Sequence, residues 1–152
     1  MSTRKIKKQV LALLAGPDLD RIQAELARLP AKDVVNALFF GICRSEELVR
    51  WHAVSAMGTV VSRLATAEME EGRLIMRRLL WSLNDESGGI GWGVPQAMAE
   101  VMAQVPALAR GYLTVFLSYI WEEGNYLEFI PIQREVLKGV LRLIEACPVP
   151  GP

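Results

Sequence analysis

Trp51-His52-Ala53-Val54-Ser55-Ala56-Met57-Gly58-Thr59-Val60-Val61 is followed, 41 residues on, by Trp92-Gly93-Val94-Pro95-Gln96-Ala97-Met98-Ala99-Glu100-Val101-Met102. Both stretches open on Trp, carry an Ala-Met pair at the same offset and close on two apolar residues. A fixed period near forty in a sequence of helical patterns marks stacked helix pairs, because no single pair can bury its apolar face alone.

The helices follow from this repeat outward. Ser45, with Glu46 and Glu47 behind it, caps a fourth helix whose stripe is Leu48, Trp51, Val54, Gly58 and Val61. A third helix, about 32–43, turns Val34, Val35, Leu38, Phe39 and Ile42 inward. Before it, Ile6, Val10, Leu13 and Leu14 form an amphipathic stripe ended by Gly16-Pro17. Asp18 then caps a second helix with Leu19, Ile22, Leu26 and Leu29, stopped by Pro30. Beyond the repeat, Thr66 caps a fifth helix, about 67–83, with Met69, Gly72, Met76, Leu79, Leu80 and Leu83 on one face. Pro95 suits the first turn of a sixth (Met98, Val101, Met102, Val105). Pro106 opens a seventh (Ala109, Tyr112, Leu113, Phe116, Ile120), and Pro131 an eighth (Val136, Leu137, Val140, Ile144, Cys147). The expectation is an all-α chain of about eight helices in four antiparallel pairs, near 1–30, 31–65, 66–105 and 106–147. These form one domain over 1–147, followed by an extended Pro-Val-Pro-Gly-Pro tail at 148–152.

Composition narrows the function classes. At 152 residues, 51% of them hydrophobic, the chain can bury a core without disulfide or structural metal. Seventeen basic and seventeen acidic residues cancel, so the net field does not favour a polyanion. Cys43 and Cys147 have no metal or redox spacing and read as buried thiols. The basic N-terminus leads into a short amphipathic helix without a cleavage site, and no run reaches the length of a membrane span. A cytoplasmic protein is expected.

The pairs at 31–65 and 66–105, and more loosely 106–147, resemble HEAT repeats. An apolar helix leads through an acidic turn to a second helix opening on Leu48-Val49-Arg50-x-x-Ala53 and closing near Ala56-Met57-Gly58. The third pair keeps Ala97-Met98 and Val101-Met102 but replaces the Val-Arg opening with Gly91-Trp92-Gly93-Val94-Pro95. The fourth keeps Val136-Leu137 and Val140-Leu141. The resemblance implies a short right-handed α–α superhelix that serves as an interaction scaffold, and it brings no catalytic residues. The string Asn84-Asp85-Glu86-Ser87-Gly88-Gly89-Ile90-Gly91-Trp92-Gly93 is similar to one in a small family of uncharacterised bacterial HEAT-like proteins, which adds no activity.

Recognition is expected on the edge built by the turns within pairs three and four. The first loop supplies Asp85, Glu86, Ser87, Gly88, Gly89 and Trp92, the second Glu122, Glu123, Asn125 and Tyr126. Carboxylates beside aromatic walls suit a protein or peptide, or a small cationic ligand. The competing reading makes Trp92 a seal between pairs and the carboxylates mere solvation of a long turn. A phosphate cradle at 88–93 lacks a preceding strand and a Walker Lys, and Asp85 and Glu86 would repel the anion. One histidine, His52, does not build a multi-His metal site and reads as structural. No metal, cofactor or catalytic residue is expected. A homo-oligomer is compatible with the apolar composition. The alternative is a nucleic-acid-binding or DNA-glycosylase-type HEAT-like enzyme, with Arg50, Arg63, Arg73, Arg77 and Arg78 beside Trp51 or Trp81 along a concave groove. Zero net charge weighs against it.

Overall fold

A computed structural model describes residues 2–84, 93–124, 126 and 130–146. Its described residues form eight helices and no strand: α1 (Thr3–Leu14), α2 (Leu19–Leu26), α3 (Ala31–Gly41), α4 (Glu47–Ala67), α5 (Met69–Asn84), α6 (Val94–Gln104), α7 (Pro106–Ser118) and α8 (Ile130–Ala146). The tail at 148–152 lies outside the described residues. No described helix is long and apolar enough to cross a membrane.

Local chemistry accounts for most boundaries. The Ser2 hydroxyl accepts from the Lys5 N–H, and the Asp18 carboxylate accepts from the N–H groups of Asp20 and Arg21. Pro95 and Pro106 occupy first turns, where a missing N–H costs nothing. Two expected caps are displaced. The cap of α4 is Glu46, one residue beyond Ser45, and it makes no side-chain bond. Thr66 lies inside α4 because its hydroxyl donates to the Ser62 carbonyl at 2.8 Å, which satisfies it without ending the helix. The break comes at Glu68, extended at φ −153°, whose carboxylate accepts from the Glu70 N–H that opens α5.

α6 is the centre of the molecule. It packs against α4 on one side and α8 on the other, and it also meets α5 and α7. α3 lies between α1 and α4, and α2 packs on α1 and α4. The 41-residue repeat appears as burial: Ala53, Ala56, Met57, Val60 and Val61 of α4 are buried, as are Val94, Ala97, Met98, Val101 and Met102 of α6. Trp92 lies outside the described residues. Polar ties recur at similar spacing. Asn36–Arg78 and Glu100–Arg142 join residues 42 apart, and Gln96–Glu135 residues 39 apart.

The inward stripes need correction in three helices. Leu48 and Trp51 stand about half exposed, because the face of α4 that meets its neighbours centres on Ala53, Ala56, Met57 and Val60. That leaves Trp51 on the opposite arc. In α8, Leu137 and Ile144 point outward and Val136 inward. Gly139 sets this rotation: a Cβ there would stand 2.8 Å from Phe116 Cζ and 3.0 Å from Ala99 Cβ, so the helix backbone itself seats against α6 and α7. Leu137 and Ile144 fall nearly opposite Gly139 on the helical wheel. Leu113 of α7 is partly exposed for want of a neighbour on its side.

Leu79 is fully buried. Leu79→Ala should therefore cost about 2–5 kcal/mol through lost transfer energy and a residual cavity. Denaturant melts read this directly, and a loss below about 0.5 kcal/mol would place α5 with another face to the core.

Candidate functional site

The open arc of α4 forms one wall of a trough. Glu47, Leu48, Arg50, Trp51 and Val54 of α4 face Lys138 of α8 across Gln96 of α6, enclosing about 560 Å³. A second cavity of about 370 Å³ continues it, sharing Trp51, Val54, Gln96 and Lys138 and adding Ser55, Glu100, Gly139, Arg142 and Glu145. α6 is the floor because it packs against both walls. The trough exists because Gly139 lets α8 settle deep beside α6 while Trp51 stays outward on α4.

Its polar groups are mostly fixed in place. The Glu100 carboxylate accepts from Arg142 Nε at 2.7 Å and Nη2 at 3.2 Å, a bidentate fork, and from Gln104 Nε2 at 3.0 Å. That bond to Glu100 pushes the Arg142 guanidinium above its ordinary range. Glu135 accepts from Gln96 Nε2 and from Lys138 Nζ. Arg50 donates to the carbonyls of Arg44 and Ser45, which anchor it without neutralising it. The trough therefore offers an aromatic and aliphatic wall at Trp51, Leu48 and Val54, paired charges along its floor and far wall, and near its mouth the Arg50 guanidinium, which no salt bridge among the described residues engages. Such a surface can take an apolar anchor with polar flanks. Among the described residues no group of three or more His, Cys, Asp or Glu is placed to hold a metal.

The sequence-derived edge residues divide into two groups. Asp85, Glu86, Ser87, Gly88, Gly89, Trp92 and Asn125 lie outside the described residues. Glu122 and Glu123 are exposed in the turn after α7, and Tyr126 is also exposed. The 85–92 connection ends at Gly93, and that end is pinned. The Gly93 N–H donates to the Ile42 carbonyl at 3.0 Å, with Arg50 alongside. Gly93 thus lies beside Ile42, at the end of α3, and Arg50, in the first turns of α4.

His52 is structural. It is 2% exposed, and its Nδ1 lies 2.8 Å from the Leu14 carbonyl oxygen, which can only accept, so Nδ1 carries the proton. Four of the five arginines of the nucleic-acid reading are engaged away from the trough. Arg63 donates to the carbonyls of Ala27 and Leu29 at the end of α2. Arg77 and Arg73 bond Glu70 and hold its carboxyl below the usual range. Arg78 bonds Asn36 and lies 4.1 Å over the Phe39 ring. Cys43, expected to be buried, is exposed at the end of α3, where partial desolvation pushes its thiol up. Cys147 lies outside the described residues.

Sequence reasoning missed Gln96, Glu100, Lys138 and Arg142, which look like ordinary helix-surface residues. The one sequence signal is spacing: Glu100 and Arg142 stand 42 residues apart, close to the 41-residue displacement between the Trp51 and Trp92 stretches.

A protein of Archaeoglobus fulgidus, described as uncharacterised, is 31% identical to this chain over 87 residues, which cover 55% of this chain and 44% of that protein. The alignment thus spans less than half of the relative's length. No protein-family model and no solved structure matches the chain.

A Cβ at Gly93 would stand 2.4 Å from the Ile42 carbonyl oxygen, a backbone atom with little room to yield. Gly93→Ala should cost about 1–3 kcal/mol in a thermal or denaturant melt. A neutral substitution would mean that the α3–α6 pin is not tight.

Proposed function

We propose that this chain is a non-enzymatic binding module, a short HEAT-like right-handed superhelix of antiparallel helix pairs that takes a protein or peptide segment in the trough over α6. Support for the repeat comes from α4, α6 and α8 lying side by side, and from polar ties that recur about one period apart. The observation that carries the recognition reading is Trp51: a large aromatic, 52% exposed, standing on the wall of two continuous cavities. Large exposed aromatics in a groove are the residues on which binding energy concentrates. The acidic loop expected from the sequence, with Asp85 and Glu86, belongs to this reading through its chemistry, carboxylates able to pair with a basic flank of the ligand. Glu122, Glu123 and Tyr126, exposed after α7, are the second part of the edge expected from the sequence. A cytoplasmic location goes with this reading.

A peptide is favoured over nucleic acid by charge. Lys138 and Arg142, the cations of the far wall, are already paired with Glu135 and Glu100. A polyanion would have to displace those carboxylates for little gain.

The test uses a peptide selected from a random display library against the intact protein and titrated by fluorescence anisotropy. Trp51→Ala should weaken binding about tenfold or more while leaving stability within about 0.5 kcal/mol. Asp85→Ala with Glu86→Ala should weaken a basic peptide specifically, without unfolding the protein. If Trp51→Ala binds as the parent does, the trough is not the recognition surface. Steeply salt-dependent binding of a random DNA duplex, lost in Arg50→Ala, would favour the nucleic-acid alternative.

A further inference from the structure

On the face of α8 turned away from α6 runs a second, independent surface. Ile130, Leu137, Leu141 and Ile144 are all about half or more exposed, Leu141 at 61% and Ile144 at 63%. At 3.6 residues per turn these four fall on one narrow stripe, the seam pattern of a helix packed along another helix. Nothing described in the chain covers it. It adjoins the trough without coinciding with it: none of these four residues lines the trough, whereas Lys138, Gly139, Arg142 and Glu145 line it from the neighbouring flank of the same helix.

The charges flanking the stripe identify the occupant. Arg134 and Glu145 lie on one flank of it, both exposed, and no salt bridge among the described residues engages either. Eleven residues of helix hold them about 16 Å apart, too far to pair within one chain. In an antiparallel pair of α8 helices centred between Leu137 and Leu141, however, same-flank residues meet. Arg134 of each copy then faces the Glu145 of its partner. The other end of the molecule does not match: Arg4, Lys5 and Lys8 of α1, Asp20 and Arg21 of α2, and Arg28 just after it are exposed there. A head-to-tail stack would set the apolar stripe against that polar face, whereas a two-fold arrangement sets it against itself.

We infer that two copies of this chain associate through α8, packed antiparallel about a two-fold axis, with the Ile130–Leu137–Leu141–Ile144 stripe as seam and reciprocal Arg134–Glu145 pairs at its sides. One helix seam is a small interface, so dissociation lies in the micromolar range. Glu145 also lines the trough, so the seam runs along the border of the trough in each copy.

Analytical ultracentrifugation of the whole chain from roughly 5 to 200 µM tests this. The parent protein should shift toward twice its 16.9 kDa mass. Leu141→Glu, at an exposed position, should keep its helical circular dichroism and raise the dimer dissociation constant by about tenfold or more. Arg134→Glu and Glu145→Arg should each weaken the dimer by about three- to tenfold, and the two together should restore it. Restoration separates a cross-dimer pair from a general charge effect. A parent protein that stays monomeric throughout overturns the inference, and the stripe then belongs to the chain's own C-terminal residues or to another partner. A dimer indifferent to Leu141→Glu, or an assembly growing beyond two copies, also overturns it.

Discussion

The burial of α6 is the constraint on which the rest of the molecule depends. Val94, Pro95, Ala97, Met98, Ala99, Val101 and Met102 are all buried, so this helix of eleven residues has almost no solvent face. A helix apolar on most sides must be enclosed on those sides, and α4, α5, α7 and α8 pack around it, leaving the row of Gln96 and Glu100 open to the trough. Small residues set how closely they approach. Gly58 of α4 leaves room for the Glu100 stem, where a Cβ would stand 2.6 Å from Cγ, and Gly139 of α8 seats against Ala99. The trough is the outer consequence of this packing: two helices drawn in against a third leave a furrow above it.

That arrangement ties stability to recognition through few residues. Glu100 and Gln96 belong to the enclosed helix, yet their polar ends reach the furrow floor and hold Arg142 and Glu135 of the far wall. A buried helix thereby fixes the spacing between Trp51 on one side and Lys138 on the other. In the proposed binding reading, paired charges on a floor of this kind orient a ligand's polar groups at low reorganisation cost, while the apolar wall at Trp51, Leu48 and Val54 supplies attraction.

Much of this was legible in the sequence, for identifiable reasons. The Ala56-Met57 and Ala97-Met98 pairs mark buried faces of α4 and α6, since small and apolar residues recurring at one offset suit a packed helix side. Helix number and most boundaries followed from Asp18, Pro95 and Pro106. Rotation was less legible. α4 carries apolar residues on nearly all sides, so periodicity alone does not say which arc stays open, and Trp51 was assigned inward. α8 has two apolar stripes, and only the backbone contact at Gly139 decides between them. The trough's polar residues come from three helices about forty residues apart, a juxtaposition that local pattern does not carry. The acidic loop was found by its length and composition, but its residues 85–92 lie outside the described part of the chain.

The central claim, that the furrow over α6 is where this protein meets its ligand, is tested most directly by hydroxyl-radical footprinting of the protein with and without a saturating selected peptide. Side-chain oxidation reports solvent access residue by residue, and Trp81, 74% exposed on α5 and outside the trough, serves as an internal reference. Oxidation of Trp51 and Leu48 should fall sharply in the complex while that of Trp81 holds. Unchanged oxidation at Trp51 under saturation would contradict the account.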